Sequence, residues 1–165
     1  MAKKIKYSNW QLNKLFKNIF TGKVNPYFLP NDLYLAIADN LKDGLYKGFG
    51  ANLETVEGLY GKASSELLTE LRTNIYEFSA AKTFNMVEEM RGVLVEGDKV
   101  LTLTEFKAKA NVIFEKYNET WLETEYNTAI GQAEMGRKWK EIEKQKRALP
   151  YLKYNAVVDS HTSEI

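Results

Sequence analysis

The chain has no cysteine. Disulfide bridges, thiolate metal sites and a cysteine nucleophile are therefore excluded. It has a single histidine, His161, so a metal site would have to be built from oxygen ligands alone, and no calcium-loop spacing is present. Proline is confined to Pro26, Pro30 and Pro150, which leaves the long middle of the chain without its strongest helix breaker. No apolar run approaches the roughly 18 residues of a membrane span. An excess of one charge is also missing: the formal net charge is +1, so the chain as a whole is not a polyanion binder by bulk charge.

What is present suits a packed core. Of 165 residues, 44% are hydrophobic and 13% aromatic, whereas disorder requires low hydrophobicity and high net charge. The length fits one domain, or one domain with a fragment of a second. Met1-Ala2-Lys3-Lys4-Ile5-Lys6 is basic, but no apolar stretch follows, so it does not read as a signal peptide. A soluble chain made in the cytoplasm is expected.

Helical spacing dominates the pattern. Ser8 and Gln11 form a capping box for a helix to Phe20, with Leu12, Leu15, Phe16 and Ile19 on one face and Gly22 as a stop. Asn25 to Pro30 reads as a turn or loop. A second helix is expected from Asn31 or Asp32 to about Lys47, carrying Leu33, Ile37, Leu41 and Leu45, with Gly48 and Gly50 ending it. Residues 51 to 63 read as loop with a helical turn. The clearest helix is expected from Ser64 or Ser65 to about Met90, with Glu66 and Glu70 near its positive end. Its core stripe is Leu68, Leu71, Ile75 and Phe78, continued by Val87 and Met90. Val93 to Leu101 fits a short hairpin around Gly97, or an ordered loop. Thr102 and Glu105 form a second capping box. Phe106, Ala110, Ile113, Phe114 and Tyr117 follow at helical spacing, and Trp121, Leu122, Ile130 and Ala133 carry the stripe across a break near Asn118. Beyond Pro150, Tyr151 to Val158 alternates and is rich in strand formers. One strand cannot satisfy its own backbone. The expected fold is thus all-α, mainly helical and bundle-like with antiparallel helices, over residues 1–148. Residues 149–165 would open a truncated C-terminal α/β domain with that short strand.

No catalytic constellation emerges, and no enzymatic activity, cofactor or metal is expected. Asp159, Ser160 and His161 are the residue types of a hydrolase triad, but a triad converges in space and not in adjacent positions of a polar tail; a turn after the strand is the plainer reading. Glu88-Glu89, and Glu123 with Glu125, read as solvated helix faces. Gly44, Gly48 and Gly50 have neither the preceding strand nor the Gly-Lys-Ser/Thr of a phosphate loop. One stretch has two readings. Arg137, Lys138, Lys140, Lys144, Lys146 and Arg147, against Glu141 and Glu143, give a local charge of +4 interleaved with Trp139. It is either a contact for nucleic acid or an acidic partner, or a solvated helix end whose cations favour the negative end of the dipole.

Two segments carry a resemblance. Trp121-Leu122-Glu123-Thr124-Glu125-Tyr126-Asn127-Thr128-Ala129-Ile130-Gly131-Gln132-Ala133 resembles the helix that opens the head-morphogenesis domain of the phage Mu protein F-like minor head proteins, with its Thr-x-Tyr/Asn-x-x-Ala core followed by small residues and Gln. About twenty residues on, Leu149 to Ser160 is similar to the family's aromatic-Leu-x-Tyr-x-x-Val-x-Asp-Ser strand through Tyr151, Leu152, Tyr154, Val157, Asp159 and Ser160. The signature positions of the first segment are Trp121, Thr124, Tyr126, Asn127, Ala129 and Gln132. The segment Gly22 to Gly50, with its Leu29-Pro30-Asn31-Asp32-Leu33-Tyr34 run, is similar to N-terminal regions of such proteins in Bacteroidetes-type phages and prophages. The sequence departs from the family pattern at His161, where Arg is frequent, and it ends at Ile165 before the family's His/Cys and Leu-x-Gly.

The resemblance implies a virion component with a structural role in head morphogenesis. It would be made in the host cytoplasm, dock on portal or capsid proteins through its helical part, and end in the virion, with no membrane association. Two further readings stay open: the carrier half of a phage-encoded toxin, and a helical nucleic-acid-binding module making DNA contact through Arg137 to Arg147.

Overall fold

The computed structural model describes Ile5 and residues 7–151, apart from the side chains of Glu119 and Thr120. The protein is mainly helical. Among the described residues the order is α1 (Asn9–Phe20), α2 (Asn31–Phe49), α3 (Val56–Tyr60), α4 (Lys62–Gly92), a hairpin of β1 (Val95–Glu96) and β2 (Lys99–Val100), α5 (Leu103–Glu115), a π-helical turn (Lys116–Trp121) and α6 (Leu122–Gln145). Both expected capping boxes are formed. The Ser8 and Thr102 hydroxyls accept from the backbone N–H groups of Gln11 and Glu105, whose side chains accept in return from the cap N–H. The hairpin is antiparallel, with Val95 opposite Val100 and Gly97 at φ 60°.

α2 lies at the centre, packed on both α6 and α4. Gly44 meets Tyr126 and Gly48 meets Ile130, so α2 and α6 run in the same direction. α4 runs against α6, since Lys82 meets Glu125 while Leu67 meets Gly136. Leu33, Ile37, Leu45, Phe49, Leu68, Met86, Met90, Phe106 and Leu122 are among the fully buried side chains. Each contributes about 2 kcal/mol by leaving water. α1 closes the other side against α5, where Phe20 and Phe106 lie 5.7 Å apart in a tilted ring pair.

Several expectations are corrected. Gly48 does not end α2; it is an interior helical residue, and Gly50, left-handed at φ 76°, is the cap. The segment after it holds the short helix α3, and α4 begins at Lys62, two residues early. Phe78 is 45% exposed, because the buried stripe of α4 passes one position later through Ser79, Lys82 and Thr83. The hydroxyls of Ser79 and Thr83 donate to the carbonyls one turn back, at 2.7 Å each, which lets polar residues occupy the core face. Leu71 and Ile130 are half-buried, and Trp121 is exposed. The break near Asn118 is the π-helical turn, whose extra residue per turn rotates Trp121 off the α5 stripe. Tyr151 is exposed and lies in no strand, and the rest of the expected strand, 152–158, lies outside the described residues.

Candidate functional site

Of the residues singled out by sequence, those of the first signature segment and most of the basic stretch lie on α6 or at its ends, and α6 has two unlike faces. Its first half turns Leu122, Tyr126, Ala129 and Ala133 into the core. Tyr126 lies against Gly44, where an added β-carbon would fall 2.9 Å from the ring. Burial, and then the neighbouring Asp43 carboxylate, push the Tyr126 hydroxyl above its usual range. Thr124 and Asn127 face outward, and Gln132 is exposed at the edge of the helix. Trp121 packs on Tyr117 with ring centroids 4.6 Å apart, and the Lys116 ammonium lies over the indole at 4.6 Å. The structure thus places Tyr126 and Ala129 in the core and Trp121, Thr124, Asn127 and Gln132 at the surface. Leu152, Tyr154, Val157, Asp159, Ser160 and His161 lie outside the described residues.

Between α2, α4 and α6 runs a cleft of about 410 Å³. Leu41, Leu45, Ile75 and Ala129 form its apolar floor, while Asn74, Thr128 and Gln132 supply polar groups. Glu125, ion-paired with Lys82, also lines it. Only 5% of Lys82 is exposed, and Glu125 is half-buried. Burial pushes the Lys82 ammonium down and the Glu125 carboxyl up, and each is opposed by the hydrogen bond and charge of the other. Lys82 also lies 5.8 Å from the centre of the Tyr117 ring. Burial, then hydrogen bonding to Glu89, push the Tyr117 hydroxyl up to about 12. Glu125 and Glu89 are therefore not simple solvated faces: Glu89 is paired with Lys116 at 2.7 Å. The sequence signal for Lys82 was a gap in the apolar stripe of α4 between Phe78 and Val87.

The second half of α6 is built the other way round. Arg137, Lys140 and Lys144 lie on the side that faces the body. Arg137 pairs with Glu141 at 2.9 Å and lies 5.6 Å from the centre of the Tyr60 ring. Lys140 pairs with Glu143 at 2.9 Å, and the Lys144 ammonium donates to the Tyr60 carbonyl. Lys138, Lys146 and Arg147 point outward. The basic stretch is thus divided: Arg137 and Lys144 tie the end of α6 to Tyr60 of α3, Lys140 is paired within α6, and the other three cations remain at the surface. On the outward face Met135 is 73% exposed and Trp139 52%, with Ile142 one turn beyond. These large apolar side chains, at helical spacing, make an apolar stripe on the solvent face.

Among the described residues no helix is long and apolar enough to cross a membrane, and no three acidic or histidine side chains are grouped to hold a metal ion. No family model, no curated protein and no solved structure matches the chain.

Proposed function

We propose that the protein is a structural component of phage head morphogenesis, working through contacts of its helical body with portal or capsid proteins. The observation that carries this reading is on α6. The segment similar to the opening helix of the Mu F-like head proteins is helical, with Tyr126 and Ala129 buried and Thr124, Asn127 and Gln132 exposed. A helical conformation for this segment is what the resemblance requires. Exposed Trp10, Tyr27 and Phe28 add aromatic anchors at the end of the body formed by α1 and the loop after it. The nucleic-acid alternative has less support, since Arg137, Lys140 and Lys144 are engaged within the chain.

The test is assembly. The chain is co-expressed with the portal and major capsid proteins of the genome that encodes it, and procapsids are separated on a density gradient. Co-sedimentation with portal-containing procapsids, lost when portal is omitted or when Trp10 and Phe28 are replaced by serine, is the expected result. A chain that stays at the top of the gradient in every combination would refute the role.

A further inference from the structure

α4 and α6 do not sit equally close to each other along their length. Gly44 and Gly48 let α6 settle on α2, against Tyr126 and Ile130. α4 then meets α6 at Leu67 with Gly136 and, further along, at Lys82 with Glu125. The cleft lies between these contacts: its α4 residues fall within 71–78 and its α6 residues within 125–132. A seven-residue rise along a helix is about 10 Å. The space holds about 410 Å³, the size of a small-molecule pocket. A helix laid along the cleft would run into both contacts, so the space suits a compact molecule and not a helical partner.

Its lining has an apolar part that the described chain leaves partly uncovered. Leu71 and Phe78 continue the helical spacing of Leu68 and Ile75, yet Leu71 is half-buried and Phe78 is exposed. The polar part lies on both walls. Among the described residues the side-chain amides of Asn74 on α4 and Gln132 on α6 have no hydrogen-bond partner. Each therefore keeps donors and an acceptor for a ligand. The Thr128 hydroxyl donates to the Thr124 carbonyl at 2.9 Å, which leaves its oxygen as an acceptor. Glu125 is the one charged residue of this lining, and its charge is answered by the Lys82 ammonium.

We infer that the cleft binds a small uncharged aromatic molecule carrying both a hydrogen-bond donor and an acceptor. The ring covers Leu71 and Phe78 above the floor of Leu41 and Leu45, and the polar edge meets the amides of Asn74 and Gln132. Charge selects against ionised ligands. A cation finds the one carboxylate of the lining already paired, an anion faces that carboxylate, and either gives up water to an apolar floor. The assignment stands whether or not the protein works in phage heads.

Three isosteric probes and one apolar probe test it: benzamide, benzoate, benzamidine and toluene, titrated into the full chain and followed by amide nuclear magnetic resonance. Benzamide is expected to give saturable shifts at Asn74, Phe78, Ala129 and Gln132. Benzoate and benzamidine should bind at least about tenfold more weakly. Asn74→Leu combined with Gln132→Leu should weaken benzamide by about tenfold while toluene binds as well or better, a change of preference that misfolding could not produce. Thr128→Trp, which fills the cleft from an exposed position, should abolish binding of every probe. Asn127→Trp, on the neighbouring outward position, should leave it intact, with the helical circular dichroism retained in both. An absence of saturable shifts with any probe, benzamidine binding as tightly as benzamide, or binding that survives Thr128→Trp would each overturn the proposal.

Discussion

Gly48 on α2 and Ile130 on α6 touch backbone to backbone: a β-carbon at position 48 would fall 2.3 Å from the Ile130 carbonyl oxygen. Side chains cannot yield there, because the obstacle is main chain of the neighbouring helix. Gly48→Ala gains the helix propensity of alanine, about 1 kcal/mol, yet it must push α2 and α6 apart. A net loss of about 3 kcal/mol is expected in urea unfolding. Gly58, on α3, has nothing within 4 Å of an added β-carbon. Gly58→Ala should leave stability equal or raise it by up to about 1 kcal/mol. Equal effects at the two positions would mean that α2 and α6 do not approach as described.

Lys82 and Glu125 set a second expectation. Removing either partner strands a charge away from water, and Lys82 is the more deeply buried. Glu125→Leu should cost about 3 kcal/mol or more, and Lys82→Met somewhat less, since Glu125 keeps partial access to water. The double variant Lys82→Met with Glu125→Leu should recover most of the loss, and a double-mutant cycle reads the coupling. Additive losses would show that the two groups do not depend on each other.

Asn118 holds the start of the described chain to the π-helical turn. Its side-chain oxygen accepts from the Ile5 N–H at 2.9 Å, and its amide donates to the Ile5 carbonyl at 3.2 Å. The side chain thus behaves like a strand edge toward Ile5. Asn118→Ala should cost about 1 kcal/mol and should speed amide exchange at Ile5 while leaving α4 amides protected. Unchanged exchange at Ile5 would remove the contact from consideration.

The hairpin and α5 meet through Glu105. The Lys99 ammonium, at 2.8 Å, and then the Thr102 N–H and hydroxyl hold its carboxyl down at about 2, against an ordinary value of 4.5. A carboxyl lowered in the folded state binds its proton less readily than in the unfolded chain. Its stabilising contribution is therefore complete above pH 4.5 and is lost as pH falls toward about 2. Unfolding measured across that window should show the unaltered chain losing its advantage over Glu105→Gln as the pH drops. A difference between the two that stays constant with pH would contradict the assignment.

Much of the fold was legible in order. Ser8 with Gln11 and Thr102 with Glu105 mark helix starts through contacts within four residues, and both boxes form. Leu33, Ile37, Leu41 and Leu45 recur on one face of α2 and are buried there. The site was less legible. The signature residues of α6 could be named, but their division between core and surface depends on which side of the helix meets α2. Local composition assigned Arg137, Lys140 and Lys144 to one basic stretch with Lys138, Lys146 and Arg147, and a one-dimensional count has no term for direction around the helix.

The sequence by itself determined where helices begin, which residues repeat at helical spacing, and that thiol chemistry is absent. Those properties depend on neighbours along the chain. Tertiary structure alone decided that Gly48 sits inside a helix against Ile130, that Phe78 is outside while Lys82 is inside, and that α6 turns Met135, Trp139 and Ile142 outward beyond its core-facing half. Each of these depends on a partner at least 43 residues away, as Lys82 does on Glu125, or on a one-residue phase of a stripe. The energy that settles such a phase comes from burial against another element, so it exists only once the elements have met.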